Sequence, residues 1–115
     1  MNAVPTEFVR LGAERLIDFT RGAFLQVDTS EDNASLIADL LVQTDLRGVF
    51  SHGTRQLDGY TQMIMDQKVN PTPTIQCTES GPTTAVLDGD GGMGHFSAYQ
   101  AAQFTVKKAR AFGIL

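Results

Sequence analysis

The sequence has little of what would assign it at once to several large classes of protein. Its single cysteine, Cys77, forms no internal disulfide and provides no cysteine framework for a metal. No apolar run is long enough to cross a membrane, and the N-terminus MNAVPTEFVR lacks the basic flank and apolar stretch of a secretory signal. Basic residues are few and scattered in a chain of net charge -4, which gives no electrostatic reason to expect nucleic acid. We therefore expect a cytoplasmic protein that binds neither nucleic acid nor a membrane.

The apolar residues that are present have helical spacing over much of the chain. A composition that is 42% hydrophobic and 19% charged in 115 residues fits one globular domain with a real core. The predicted helices are Ala13 to about Leu25, a second one opened by Thr29-Ser30-Glu31-Asp32 and ending near Gly48, Gln56 to Gln67, and Ser97 to Phe112, which Gly113 ends. Their predicted inward faces are Leu16, Ile17, Phe19, Thr20 and Ala23, then Ala34, Ile37, Leu40, Leu41 and Thr44, then Leu57, Tyr60, Met63 and Ile64, and finally a small-residue face of Ala98, Ala101, Ala102, Thr105, Val106 and Ala109.

Strands are predicted mainly in the last part of the chain. Thr74 to Cys77 and Thr83 to Leu87 flank the turn composition Glu79-Ser80-Gly81-Pro82, which favours a hairpin. A further short strand is predicted at Phe8 to Leu11. Ile114 and Leu115 resemble the first residues of a buried strand, so we expect a larger protein to continue beyond them. The predicted fold is α/β, with a helical region over about residues 1–70 leading into a mixed sheet that starts in residues 71–115.

The densest polar cluster is DLRGVFSHGTR, from Asp45 to Arg55, with Tyr60 close behind. Histidine exchanges a proton near neutral pH, arginine holds a carboxylate through two parallel donors, and tyrosine donates to an oxygen. Together these residue types suit a small anionic carbonyl substrate. From spacing alone, His52 is either an acid–base catalyst or a turn histidine bonded to the backbone. Asp45 and Arg47 favour structural roles as ion-pair or cap residues.

This cluster carries a resemblance to a known family. The run TDLRG followed by SHG and then Tyr60 resembles the start of the malate/L-lactate dehydrogenase family, which includes ureidoglycolate, sulfolactate and diketogulonate oxidoreductases. The later LDGDGGMGH, the alanine-rich helix and ARAFGI match the family's next segment in order. The resemblance covers about Val9 to Leu115. Full-length members are longer, which agrees with a chain that forms the N-terminal part of an oxidoreductase domain and is inactive alone.

The resemblance implies hydride transfer between NAD or NADP and a small 2-hydroxy or 2-oxo acid, in a non-Rossmann homodimer. It places His52 as the proton donor and acceptor, Ser51 as the residue that sets its orientation, and Tyr60 in the substrate pocket. Where many members carry an arginine, this chain has Gln56, and the nearest arginine is Arg55. Either Arg55 holds the substrate carboxylate or Gln56 bonds a less charged group. The family's dinucleotide-binding segments are not carried by these residues, so the cofactor-binding residues are unknown.

The glycine-rich loop VLDGDGGMGHF raises a second possibility. Gly89, Gly91 and Gly94 match the dinucleotide fingerprint G-x-G-x-x-G after an apolar run. The match arises easily in a chain with 11 glycines, and no acidic residue lies about 20 positions on to hold a ribose. The resemblance favours a tight connection between strand and helix instead.

The remaining polar residues of this region favour structural roles. Asp88 and Asp90 do not complete a calcium loop, because its third acidic position is Gly92 and its twelfth is Tyr99, so no metal is expected. His95, at the start of the last helix, is expected to contact solvent or a terminal backbone group. Two alternatives to the enzyme therefore stay open: a catalytically silent interaction domain, and a small Rossmann-type nucleotide-binding domain.

Overall fold

The computed structural model describes residues 3–113, which belong to two compact units, Met1–Pro71 and Thr72–Leu115. The described chain is a mixed α/β structure. Its helices are α1 (Ala13–Leu25), α2 (Glu31–Leu46), α3 (Leu57–Met65) and α4 (Gly94–Phe112), and its strands are β1 (Gln76–Gly81) and β2 (Thr84–Asp88). Two short 3₁₀ helices, Phe50–His52 and Thr54–Gln56, lie between α2 and α3.

The core of the first unit is formed mainly by α1 and α2, which pack against each other, with α3 against α1. Burial of apolar surface supplies the driving force for this packing. The buried apolar residues of these helices are Phe24, Ala34, Ile37, Ala38, Leu41, Val42 and Ile64. The unit therefore gives α2 a fixed inner face, and the segment that leaves its C-terminus starts from a rigid support.

Both ends of α2 are closed by specific backbone interactions. At its start the Ser30 hydroxyl accepts a hydrogen bond from the Asn33 N–H at 3.3 Å, as the predicted cap requires. At its end Gly48 adopts a left-handed conformation with φ of 77°. The Gly48 N–H donates to the Asp45 carbonyl at 2.8 Å and the Val49 N–H to the Thr44 carbonyl at 3.1 Å, which is the Schellman arrangement. This termination turns the chain sharply into the 3₁₀ helices.

The second unit contains a hairpin and a long helix. β1 and β2 pair antiparallel from Gln76 opposite Asp88 to Gly81 opposite Thr84, with an irregularity between Glu79 and Gly81. On α4, the Lys108 ammonium lies 2.6 Å from the Glu79 carboxylate and ties the helix to β1. No helix among residues 3–113 combines the length and the apolar character that a membrane crossing requires.

Most of the predicted elements are confirmed. The bounds of α1 match the prediction, the α2 cap and its end near Gly48 are confirmed, and the hairpin forms. Gly113 ends α4 with φ of 73°, and its N–H donates to the Ala109 carbonyl at 2.7 Å. The described strands pair only antiparallel, so the mixed sheet stays a prediction, and the predicted strand at Ile114 and Leu115 lies outside the described residues.

Several predicted details are wrong. The strand at Phe8 to Leu11 does not form, because this exposed segment pairs with no strand in the described part of the chain. Phe19 is 68% exposed and Phe24 occupies the core instead. β1 starts at Gln76 rather than Thr74 and runs to Gly81, because Gln76 to Glu79 pair with β2, which leaves a short turn at Pro82 and Thr83.

The predicted helix bounds also need correction at two places. α3 covers Leu57–Met65, within the predicted Gln56 to Gln67, because Gln67 takes a left-handed conformation with φ of 59° that ends the helix. α4 starts at Gly94 rather than Ser97, which adds a turn that carries His95 and the buried Phe96. Much of its small-residue face is exposed, at Ala98, Ala102, Thr105 and Val106.

The burial of His95 predicts that the stability of the protein depends on pH. Its side chain is half-buried, and burial lowers the pKa of His95 from the ordinary value of 6.5 because the charged imidazolium is disfavoured. As the pH falls, the unfolded chain therefore binds a proton at this position before the folded chain does. The stabilisation is present above about pH 6.5 and is lost as the pH falls through the lowered folded pKa.

We expect the free energy of unfolding, measured with urea, to decrease between about pH 7.5 and about pH 5, and His95→Gln to flatten this decrease. His52→Gln is the matched control, since it removes the other histidine, which is exposed, and should retain the decrease. An unchanged pH dependence in His95→Gln would show that burial of this imidazole does not act on stability.

Candidate functional site

The polar cluster predicted from the sequence is built around the carboxylate of Asp45, in the last turn of α2. Its Oδ2 accepts hydrogen bonds from the Thr54 N–H at 3.1 Å and from the Thr54 hydroxyl at 2.5 Å. Thr54 begins the second 3₁₀ helix, so the carboxylate satisfies a backbone donor that has no partner within that helix. Asp45 therefore has a structural contact with the start of the second 3₁₀ helix, although it is not itself the cap residue of either helix.

Gly53 makes this contact possible. A Cβ atom built on Gly53 would overlap the Oδ1 and Cγ atoms of Asp45. Gly53 is itself buried although its neighbour His52 is exposed. Any side chain at position 53 would therefore have to displace the Asp45 carboxylate, which Thr54 holds in place.

His52 and Ser51 lie in the first 3₁₀ helix and contact each other directly. The Ser51 Oγ lies 2.8 Å from the His52 Nδ1. This contact occupies one ring nitrogen, and the Nε2 atom belongs to a side chain that is exposed. The backbone N–H of His52 donates to the Val49 carbonyl at 3.1 Å. The structure thus brings together the two residues that were predicted to act as catalyst and orienting partner.

Arg55 and Gln56 have different environments. The Gln56 Nε2 donates to the Ser51 carbonyl at 2.7 Å, and the Gln56 side chain is half-buried. Arg55 is exposed in the second 3₁₀ helix, three residues after His52. The two side chains thus differ: the Gln56 amide nitrogen is engaged with the backbone, whereas Arg55 is exposed. Tyr60, the remaining predicted site residue, lies half-buried on α3.

The glycine-rich loop forms a self-contained connection between β2 and α4. Asp90 and Gly91 take left-handed conformations with φ of 50° and 67°, the Asp90 N–H donates to the Asp88 carboxylate at 2.9 Å, and the Asp90 carboxylate accepts from the Thr74 N–H at 2.9 Å. A Cβ on Gly92 would overlap Pro73, so the glycine required for close approach lies against the protein's own chain.

This geometry does not fit a dinucleotide fingerprint. Gly92 is not one of the fingerprint glycines, and Gly94, which is one, would meet no atom within 4 Å if it carried a Cβ. The strand before the loop is part of an antiparallel hairpin, whereas the fingerprint belongs to a parallel βαβ unit. We assign no cofactor contact to this loop. Among residues 3–113, no group of three or more His, Cys, Asp or Glu side chains is arranged to hold a metal ion.

The sequence did not reveal two residues of this site. The residue type of Thr54 does not indicate a role in a site, because that role depends on a carboxylate nine positions earlier in the chain. Gln56 was considered only as a substitute for an arginine, whereas its side chain holds the Ser51 carbonyl. A glycine between a histidine and a threonine was the one available signal, since it indicates a close approach of backbone to another group.

Comparison with known proteins identifies the family of the chain. A sequence profile described as malate/L-lactate dehydrogenase matches residues 11–115. The malate dehydrogenase of Pyrococcus abyssi is 36% identical over 111 residues, which cover 96% of this chain and 31% of that protein. The L-sulfolactate dehydrogenase of Methanocaldococcus jannaschii is 36% identical over 84 residues, which cover 73% of this chain and 24% of that protein.

A solved structure shows the same similarity. The malate dehydrogenase of Pyrococcus horikoshii OT3 superimposes with a TM-score of 0.89 at 34% identity, covering 98% of this chain and 32% of that one. These similar proteins are dehydrogenases with an α/β part like the one described above. The chain belongs to the malate/L-lactate dehydrogenase family, which confirms the resemblance inferred from DLRGVFSHG. It spans about a third of the length of the relatives it matches.

The contact between Gly53 and Asp45 predicts opposite effects for two glycine substitutions. Gly53→Ala should lower the free energy of unfolding by about 1–3 kcal/mol, because the new methyl group must displace the carboxylate. Gly59→Ala is the matched control: its Cβ meets nothing within 4 Å on α3, and the added helix propensity should raise stability by about 0.5–1 kcal/mol. Urea unfolding measures both, and a Gly53→Ala variant as stable as the wild type would contradict the proposed contact.

Proposed function

We propose that the protein is an oxidoreductase that interconverts a small 2-hydroxy acid and the corresponding 2-oxo acid with NAD or NADP. The observation that carries the proposal is the pairing of Ser51 with His52 in an exposed 3₁₀ helix, within a chain of the malate/L-lactate dehydrogenase family. Relatives named for malate, L-sulfolactate and ureidoglycolate indicate the class of substrate, a small carboxylic acid with an adjacent hydroxyl or carbonyl group.

His52 exchanges the proton in this proposal. In the direction of reduction, the imidazolium donates its Nε2 proton to the carbonyl oxygen of the 2-oxo acid and becomes neutral. The Nδ1 proton stays on the ring throughout and is donated to the Ser51 Oγ, which lies 2.8 Å away. In the direction of oxidation, the neutral Nε2 accepts the hydroxyl proton. In this proposal the Ser51 Oγ accepts from Nδ1–H rather than donating to it, which is the arrangement that leaves Nε2 available for the substrate.

The other half of the reaction belongs to the cofactor. A bound nicotinamide supplies or accepts the hydride, and we assign no dinucleotide contact to the residues described. The proposal extends the family resemblance to a homodimer with active sites near the subunit boundary. In this arrangement the described residues bind and orient the acid and move its proton.

Arg55 holds the substrate carboxylate in this proposal. Its guanidinium is exposed and lies in the 3₁₀ helix that directly follows the one containing His52. Two parallel N–H donors match the two oxygens of a carboxylate and thereby orient the adjacent carbonyl carbon. Tyr60, on the helix that follows, contributes a hydroxyl to the pocket wall.

The proton-transfer role predicts a large effect of removing His52. We expect the intact protein to oxidise NADH or NADPH with at least one acid from a panel of oxaloacetate, pyruvate and sulfopyruvate, and His52→Ala to lower kcat by about 10²–10⁴. Ureidoglycolate with oxidised cofactor completes the panel. Thermal unfolding should show that the variant remains folded, since the replaced side chain is exposed. Full turnover in His52→Ala would overturn the proton-transfer role, and no turnover with any acid would favour a catalytically silent domain.

The carboxylate role of Arg55 predicts a change that is mainly in KM. Arg55→Gln should raise KM for the acid about 10- to 100-fold, which is the loss of a charge-assisted hydrogen-bonded pair. Arg55→Lys should recover only part of this loss, because an ammonium does not reproduce the planar fork. Arg15→Gln, which removes another exposed arginine on α1, is the control for net charge and should leave KM unchanged. An unchanged KM in Arg55→Gln would assign the carboxylate to a different residue.

A further inference from the structure

We propose that Asp45 and Thr54 are positioning residues of this site, and that their hydrogen-bonded pair fixes the direction of the His52 ring without contacting the substrate. The inference rests on the proposed function, because it assigns to the pair a role in the proton transfer at His52. It concerns residues that the resemblance left with a structural role or with none.

The contact between Asp45 and Thr54 is strong. Both donors of Thr54, the backbone N–H at 3.1 Å and the hydroxyl at 2.5 Å, converge on the same oxygen of Asp45. Hydrogen bonds to a charged acceptor are shorter and about twice as strong as neutral ones. Both residues are half-buried, which reduces competition from water. The pair is therefore a strong connection between the end of α2 and the second 3₁₀ helix.

The contact between Asp45 and Thr54 also spans the segment that contains His52. Asp45 precedes the segment 46–53 and Thr54 follows it, so their contact closes that segment into a loop at its base. The start of the loop is held by the Schellman bonds at Gly48, and its end by the packing of Gly53 on the Asp45 carboxylate. His52 lies next to Gly53. Its backbone is thus fixed from both directions although its side chain is exposed.

An exposed catalytic ring needs neighbouring groups that restrict its rotamers. A side chain on the surface keeps its rotamer freedom unless neighbouring groups restrict it. Here the Nδ1 atom of the ring contacts the Oγ of the preceding residue, and two adjacent side chains keep this contact only in a defined backbone conformation. Gln56 supports that conformation from the other side by donating to the Ser51 carbonyl at 2.7 Å. A displacement of about 1 Å at a reacting group costs about 10² in rate.

The test uses Thr54→Val and Thr54→Ser in the intact protein. Valine keeps the branched shape and the backbone N–H but removes the hydroxyl donor, whereas serine keeps the donor. Thr105→Val is the matched control for loss of a threonine hydrogen bond, because the Thr105 hydroxyl donates to the Ala101 carbonyl at 2.8 Å on α4. Asp45→Asn, which keeps one carbonyl oxygen as an acceptor, is the milder change on the other side of the pair.

We expect Thr54→Val to lower kcat per folded molecule about 10- to 100-fold and to change KM for the acid by less than about threefold. The solvent isotope effect on kcat should rise, because proton transfer becomes slower relative to the other steps. Thr54→Ser should keep most of the rate, Asp45→Asn should fall between the wild type and Thr54→Val because a neutral oxygen accepts more weakly, and Thr105→Val should leave kcat and the isotope effect unchanged. A Thr54→Val variant with wild-type kcat, or a Thr54→Ser variant as slow as Thr54→Val, would overturn the inference.

A second measurement needs no turnover. Nitrogen NMR of the His52 ring should show the Nδ1-protonated tautomer in the neutral wild type and in Thr54→Ser, and a mixture of tautomers in Thr54→Val. An unchanged ring signal in Thr54→Val would also overturn the inference. Failure of the two proposals is distinguishable: full activity in His52→Ala removes the proposed function, whereas an inactive His52→Ala together with a normal Thr54→Val removes only the positioning role.

Discussion

The candidate site depends on one carboxylate that lies in the space left by a glycine. Asp45 comes from the last turn of a buried helix, and its Oδ2 accepts both donors of Thr54 while its Oδ1 lies over Gly53. These polar contacts connect the apolar core of the first unit to the segment that contains the exposed His52. The buried residues Ile37, Leu41 and their neighbours hold α2 in place. Hydrogen bonds, rather than further burial, then fix the surface segment that follows α2.

Helical periodicity predicted the fold well where the hydrophobic pattern was long. The bounds of α1 and the cap of α2 followed from spacing and from Ser30, because both depend on interactions within a few residues of each other. Phe19 was placed inward wrongly, since residues at neighbouring helical positions differ in burial according to where a second helix packs. The strand predicted at Phe8 to Leu11 was wrong for a related reason. A strand needs a partner strand, and the hydrophobic pattern of the segment does not show whether one is present.

The family was predictable from the sequence, whereas the geometry of the candidate site was not. The residues of SHG carried the family resemblance, and the profile match over residues 11–115 confirmed that family. The contact between Asp45 and Thr54 joins residues nine positions apart across an irregular segment, where no periodic rule applies. The contact of the Gln56 amide with the Ser51 carbonyl is likewise visible only in the structure, because it joins two residues within an irregular segment.

The closed loop between Asp45 and Thr54 limits the sequence changes that this segment can accept. Because its two ends are joined and Gly48 sets the direction in which the chain leaves α2, the number of residues between them is constrained more tightly than most of their identities. We expect an exposed position such as Leu46 to tolerate exchange, whereas an inserted or deleted residue would displace Thr54 from the Asp45 carboxylate.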